Sequence, residues 1–118
     1  MDMIIFGAQG YALGTYKAIK VLYPERRVLF FAVTSMSNNP PTLSGLDVKE
    51  IVTVSGDYSA EEKKNIEILI ATPENVQAEI EKTLDGYGFI NHTRLTSQFW
   101  DELMTRKNMI TGEFRPLT

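Results

Sequence analysis

Three observations predict an α/β chain: a Rossmann-like domain of three layers around a mostly parallel five-strand sheet. First, a short apolar run, Met3, Ile4, Ile5 and Phe6, stops at Gly7-Ala8-Gln9-Gly10, and an amphipathic helical pattern begins at once. Strand, glycine turn and helix in that order open a nucleotide-binding βαβ unit. Second, the apolar runs at residues 27–33 (RVLFFAV) and 66–71 (IEILIA) lack polar alternation. Such strands require burial on both faces, as in a parallel sheet covered by helices. Third, a single helical pattern separates the first two runs, so their connection is a right-handed parallel crossover.

The elements follow in order. Strand one starts at Asp2 or Met3 and ends at Phe6. The helix after it, about residues 11–23, places Ala12, Tyr16, Ile19 and Tyr23 on one side, with Leu13 and Leu22 beside them and Lys17 and Lys20 opposite. Pro24 ends it. Residues 27–33 are strand two. Residues 34–47 (TSMSNNPPTLSGLD) carry Asn-Asn-Pro-Pro and Ser-Gly and read as a loop at the carboxyl end of that strand, the ligand side of an open α/β sheet. Residues 48–54 (VKEIVTV) alternate enough for a short strand, and Ser59-Ala60-Glu61-Glu62 has capping-box spacing. Residues 66–71 are an interior strand.

Thr72-Pro73-Glu74-Asn75 then reads as a helix start, with Thr as cap, Pro at the first helical position and an acid in the first turn. Val76, Ile80 and Leu84 form the inward stripe of that helix, and Asp85-Gly86 ends it. Residues 88–92 (GFINH) read as a last strand. Thr96 or Ser97 caps a final helix with Phe99, Trp100, Leu103 and Met104 inward. Residues 110–118 show no pattern. The sheet order expected from these strands is 3-2-1-4-5, with the switch point between strands one and four.

The length of 118 residues suits one core. The regular pattern that breaks off into an unpatterned tail is expected of the front piece of a longer chain. The net charge of −3 argues against a nucleic-acid surface, since Lys and Arg are scattered as solvated pairs rather than clustered. With no cysteine, disulfides, thiol catalysis and thiolate metal sites are excluded, and a reducing cytoplasm is the expected location. A single histidine, His92, builds no zinc site of the usual kind. No apolar run reaches the roughly 18 residues of a membrane span, and the start MDMIIFG lacks a basic leader.

Gly7, Gly10 and Gly14 form G-x-x-G-x-x-x-G, which departs from the dinucleotide fingerprint G-x-G-x-x-G. The turn reads either as an amide cradle for a phosphate, from Gly7, Ala8, Gln9 and Gly10, or as a plain β–α connection. Tyr11 directly follows it, where a side chain can lean over a ligand. The acid that holds a ribose at the end of strand two is absent, because Val33-Thr34-Ser35 stands there and no Arg follows. This disfavours NAD, while Thr34 and Ser35 keep single hydrogen bonds to offer. Thr72 and Asn75 are candidate ligand contacts, although capping alone accounts for them. His92 reads as a structural histidine sooner than a general base, which would need a partner. Phe99 and Trp100 are core or a docking face. No catalytic triad, carboxylate pair or metal cluster can be assembled, so no catalytic residue is assigned.

Residues 4–11 resemble the amino-terminal domain of bacterial sugar acyltransferases of the bacillosamine and sialic-acid type, with Tyr11 where that family has His. Ser44-Gly45-Leu46-Asp47-Val48, Ile68-Leu69-Ile70-Ala71-Thr72-Pro73 and Phe89-Ile90-Asn91-His92-Thr93 are similar to later segments of it. The family's acids after strand two and its hexapeptide repeats are missing. Residues 95–118 instead look similar to the connector in capsule and lipopolysaccharide glycosyltransferases. The resemblance implies a domain that binds a nucleotide or UDP-sugar, through Gly7 to Tyr11 with Thr34, Ser35, Thr72 and Asn75 around it. Catalysis would then lie in the chain's own C-terminal domain. The alternative is a ligand-free docking or homodimerising domain.

Overall fold

A computed structural model describes residues 1–112 of the chain; residues 113–118, most of the tail read as pattern-free, lie outside the described residues. The elements are β1 (Asp2–Phe6), α1 (Gly10–Leu22), β2 (Val28–Val33), β3 (Thr42–Leu43), β4 (Leu46–Glu50), α2 (Ile51–Asp57), α3 (Ala60–Lys64), β5 (Ile66–Ile70), a 3₁₀ turn (Glu74–Val76), α4 (Gln77–Gly86), β6 (His92–Arg94) and α5 (Ser97–Thr111). The fold is α/β with a mostly parallel sheet, as predicted. The sheet is mixed and six-stranded, in the order β3-β4-β2-β1-β5-β6, and not the five-strand sheet of order 3-2-1-4-5.

The added strand comes from the segment read as loop. β3 pairs antiparallel with β4, Thr42 opposite Asp47 and Leu43 opposite Leu46. Ser44 (φ 51°) and Gly45 (φ 84°) make the two-residue connection. Positive φ at both central positions defines the tight hairpin turn whose twist matches its strands. Serine rarely adopts that conformation, and this hid the hairpin in the sequence.

The remaining strands are parallel. β1 lies between β2 and β5, in register Ile5 with Phe31 and Phe6 with Ile70. Alternation along each strand splits the core in two. Met3, Ile5, Phe31 and Leu69 face α1 and α5, meeting Ala12, Tyr16, Ile19 and Leu103. Ile4, Phe6, Phe30, Ile68 and Ile70 face α2 and α4, meeting Ile51, Val54, Ile80 and Leu84. Both faces of the central strands are covered, which explains their unbroken apolar sequence.

Three boundaries differ from expectation. Residues 48–54 are not one strand: β4 stops at Glu50, and Ile51 opens α2, whose buried Ile51 and Val54 sit one helical turn apart. The β-branched residues that suggested a strand serve here to pack a helix. Thr72 does not cap a helix, since its hydroxyl bonds the Pro73 carbonyl oxygen at 3.4 Å; Pro73 leads into the 3₁₀ turn and α4 begins at Gln77. Val76 is therefore 40% exposed and leaves the inward stripe to Ile80 and Leu84. The last strand is His92–Arg94, because Gly88 (φ 89°) turns the chain and sends Phe89 wholly into the core.

Other expectations match. Ser59 and Glu62 form a reciprocal capping box at α3. Thr96 caps α5, its hydroxyl accepting the Phe99 N–H at 3.1 Å, and Leu103 is buried with Phe99, Trp100 and Met104 packed around it. α5 runs on to Thr111, so Ile110 belongs to the helix. Gly14 faces Trp100: a Cβ there would lie 2.4 Å from the indole, so the bare backbone lets α1 and α5 close on each other.

His92 stands at the sheet edge. Its Nδ1 meets Glu81 at 2.9 Å and its Nε2 meets Asp85 at 2.7 Å, while Arg94 donates to the other oxygen of Glu81. These contacts clasp β6 to α4, a structural role. The bond from Arg94, with that from His92, holds the Glu81 carboxyl below its ordinary value of 4.5. A lowered folded-state value means that the stabilisation is complete above 4.5 and is lost as pH falls through the lowered value. Arg94→Gln should therefore cost about 0.5 kcal/mol at pH 7, as expected of a partly exposed pair. Urea unfolding of variant and wild type should show that gap closing on acidification.

Candidate functional site

All five parallel strands point their carboxyl ends to one edge, where the loops after β1, β2 and β5 converge. The chain leaves β1 toward β2 on one side, and returns through α2 and α3 to β5 on the other. This is the switch point at which open α/β sheets bind ligands.

The turn after β1 is fixed by steric necessity. Gly7 adopts φ 127°, and a Cβ on it would lie 2.7 Å from the Ala71 carbonyl oxygen. The Gly7 N–H donates to the Ala32 carbonyl oxygen at 2.7 Å, and the Ala71 N–H to that of Phe6 at 2.9 Å. Only a bare backbone passes between the ends of β2 and β5 here. By contrast, a Cβ on Gly10 would meet nothing within 4 Å.

Gln9 precedes α1 and makes no side-chain cap. The first helical ladder bond runs from the Leu13 N–H to the Gln9 carbonyl oxygen, so the N–H groups of Gly10, Tyr11 and Ala12 stand ahead of the ladder. The Gln9 side chain instead reaches the loop after β2, donating to the Asn39 Oδ1 at 3.0 Å and the Asn38 carbonyl oxygen at 3.3 Å. That loop is held by its own bonds: Asn39 donates to the Ser35 carbonyl oxygen at 2.8 Å, and the Met36 N–H donates to Glu50 at 3.0 Å. Glu50 is thus an acid beside the end of β2 that arrives from the neighbouring strand, out of reach of a search along residues 33–35.

Two clefts flank the turn. The larger, about 560 Å³, is lined by Gly7, Ala8, Gln9, Thr34, Ser35 and Thr72 together with residues that the sequence did not single out, notably Ser37, Asn39, Glu79 and Thr83. The smaller, about 430 Å³, runs between Tyr11, Thr72, Glu74, Ser97, Trp100 and Asp101. Of the nine predicted site residues, six therefore share the larger cleft. Tyr11, 46% exposed, belongs to the smaller one, standing edge to face with Trp100. Neither Gly10, at the start of α1, nor Asn75, exposed on the 3₁₀ turn, lines a cleft. Among the described residues no lysine or arginine lines either cleft.

Buried Gln77 supports both clefts from below: its side-chain amide donates to the Thr72 carbonyl oxygen at 2.9 Å and the Leu95 carbonyl oxygen at 2.7 Å, tying the ends of β5 and β6 together. A polar residue in a helical stripe gave no sign of this role in the sequence. Among the described residues no group of three or more His, Cys, Asp or Glu side chains is placed to hold a metal ion, and no helix is long and apolar enough to cross a membrane.

The two glycines predict opposite mutational outcomes. Gly7→Ala should lose about 2–4 kcal/mol, combining an unfavourable φ with a backbone clash. Gly10→Ala should stay within about 0.5 kcal/mol of wild type. Chemical denaturation of both variants checks the pair, and equal stabilities would refute the steric account of the turn. Comparison of the chain with family models, curated proteins and solved structures gives no match.

Proposed function

We propose that the larger cleft binds a nucleotide or UDP-sugar, and that the chain is the front domain of a cytoplasmic surface-polysaccharide transferase whose catalysis lies outside these 118 residues. One observation carries the reading: an uncapped helix start and an unobstructed Gly10 stand beside a cleft of about 560 Å³ at the switch point. That volume is in the range of small-ligand sites. The Gly10 and Tyr11 amides, which stand ahead of the ladder, suit phosphate oxygens. The hydroxyls of Thr34, Ser35 and Thr72 supply neutral hydrogen bonds for base and sugar, while the Gln9 and Asn39 amides, bonded to each other, hold the loop beside them. Specificity would rest on such contacts, because a polar group left unpaired against a wrong ligand costs about 1–3 kcal/mol.

Among the described residues no lysine or arginine lines the clefts, which favours a second reading, a ligand-free domain that positions or dimerises its parent enzyme. An NAD-binding oxidoreductase half has less support, since no carboxylate stands at residues 33–35 to hold a ribose.

Calorimetric titration with UDP-sugars is the direct test. Binding heat should appear with the wild type and vanish in Gly10→Asp, which sets a carboxylate against the phosphate while leaving the fold intact. At a ligand concentration 100 times Kd, unfolding should also become harder by about 2.7 kcal/mol. Absence of heat with UDP-sugars, nucleotides and NAD alike, together with a concentration-dependent dimer in light scattering, would establish the second reading instead.

A further inference from the structure

The smaller cleft has a chemistry of its own. Tyr11 from the start of α1 and Trp100 from the first turns of α5 stand with ring centroids 5.1 Å apart and planes at 88°, forming two walls of a corner. The position of Trp100 is set by Gly14, which has no side chain to push it away. The remaining walls carry Glu74 and Asp101. Glu74 is held in place by Ser97, whose N–H and hydroxyl both donate to one carboxylate oxygen, at 2.6 and 2.7 Å. Those two bonds keep the carboxyl below its ordinary range and therefore ionised. Asp101 is exposed and has no hydrogen-bond or ion-pair partner among the described residues. Among the described residues no cationic side chain lines the recess to neutralise either acid.

We infer that this recess, bounded by Tyr11, Trp100, Glu74 and Asp101, is a binding site for an organic ammonium group. A cation near an aromatic face is drawn to its negative quadrupole. Carboxylates at the open sides add charge attraction and exclude anions by repulsion. An inorganic cation is a poor match, because the site offers too few oxygen ligands to replace its hydration shell. A neutral ligand of the same shape would leave both carboxylates without a counter-charge. The site is separate from the nucleotide reading, sharing only Thr72 with the larger cleft.

Trp100 is the sole tryptophan of the chain, so its indole N–H gives a single resonance that reports on the recess. Tetramethylammonium chloride titrated into ¹⁵N-labelled protein should shift that resonance saturably. Potassium chloride at matched ionic strength and tert-butanol, a neutral molecule of similar size, should not. Asp101→Asn removes a charge from an exposed side chain with no partner to lose, and should weaken binding about threefold. Tyr11→Leu keeps apolar bulk without the ring and should weaken it by a similar factor. A linear, non-saturating shift, an equal response to tert-butanol, or unchanged affinity in both variants would overturn the proposal. Because the readout contains no nucleotide, its failure leaves the UDP-sugar titration unaffected, and the reverse also holds.

Discussion

The close passage of Gly7 past the Ala71 carbonyl governs the functional end of the molecule. With β1 flanked on both sides by parallel neighbours, the chain leaving it has one narrow exit between the ends of β2 and β5. A side chain at that point would collide with backbone that cannot retreat, since Ala71 is itself bonded to Phe6. The absence of a Cβ lets α1 start immediately beyond the sheet, with its first amides ahead of the helical ladder. It also sets where Gln9 reaches across to the loop after β2 and where Tyr11 meets Trp100. Both clefts are consequences of this one exit.

Around it, the supporting bonds run from side chain to backbone more than from charge to charge. Gln9 holds the loop after β2, Glu50 holds the same loop from β4, and Gln77 joins the ends of β5 and β6. A buried amide with both donors engaged fixes the geometry of two strand ends at a modest net gain, while its loss would leave two buried carbonyls without partners. Rigidity at the strand ends thus comes from side chains that bond across loops, the neutral amides of Gln9 and Gln77 and the carboxylate of Glu50.

The parts that were legible in the sequence are those with one strong local cause. Met3 to Phe6, residues 27–33 and residues 66–71 announced buried parallel strands because both of their faces are covered. The Ser59 capping box and the Thr96 cap were readable for the same reason, since each is a contact between residues three apart. Errors arose where a distant partner decided. Ile51 and Val54 look like strand residues and become helix because the lower core needs them there. Ser44 accepts a left-handed backbone that its identity does not advertise. Six of nine candidate site residues gather in one cleft because they sit at strand ends, which the strand pattern locates. Asn75 turns outward because the 3₁₀ segment delays α4. Ser37, Asn39 and Glu79 were invisible, because only the folding of the loop after β2 and the placement of α4 bring them to the cleft.

The small hairpin of β3 and β4 protects the molecule from its own kind. Without those two residues, β4 would present unpaired amides and carbonyls to any passing chain, an invitation to strand-by-strand stacking between molecules. Thr42 and Leu43 occupy part of that margin, and the tight turn at Ser44-Gly45 bends the ribbon back so that little length remains for a visitor to match. At the far margin β6 is three residues long and carries an arginine, which discourages the same addition by brevity and charge. Both margins of the sheet are thereby blunted against the addition of a further strand.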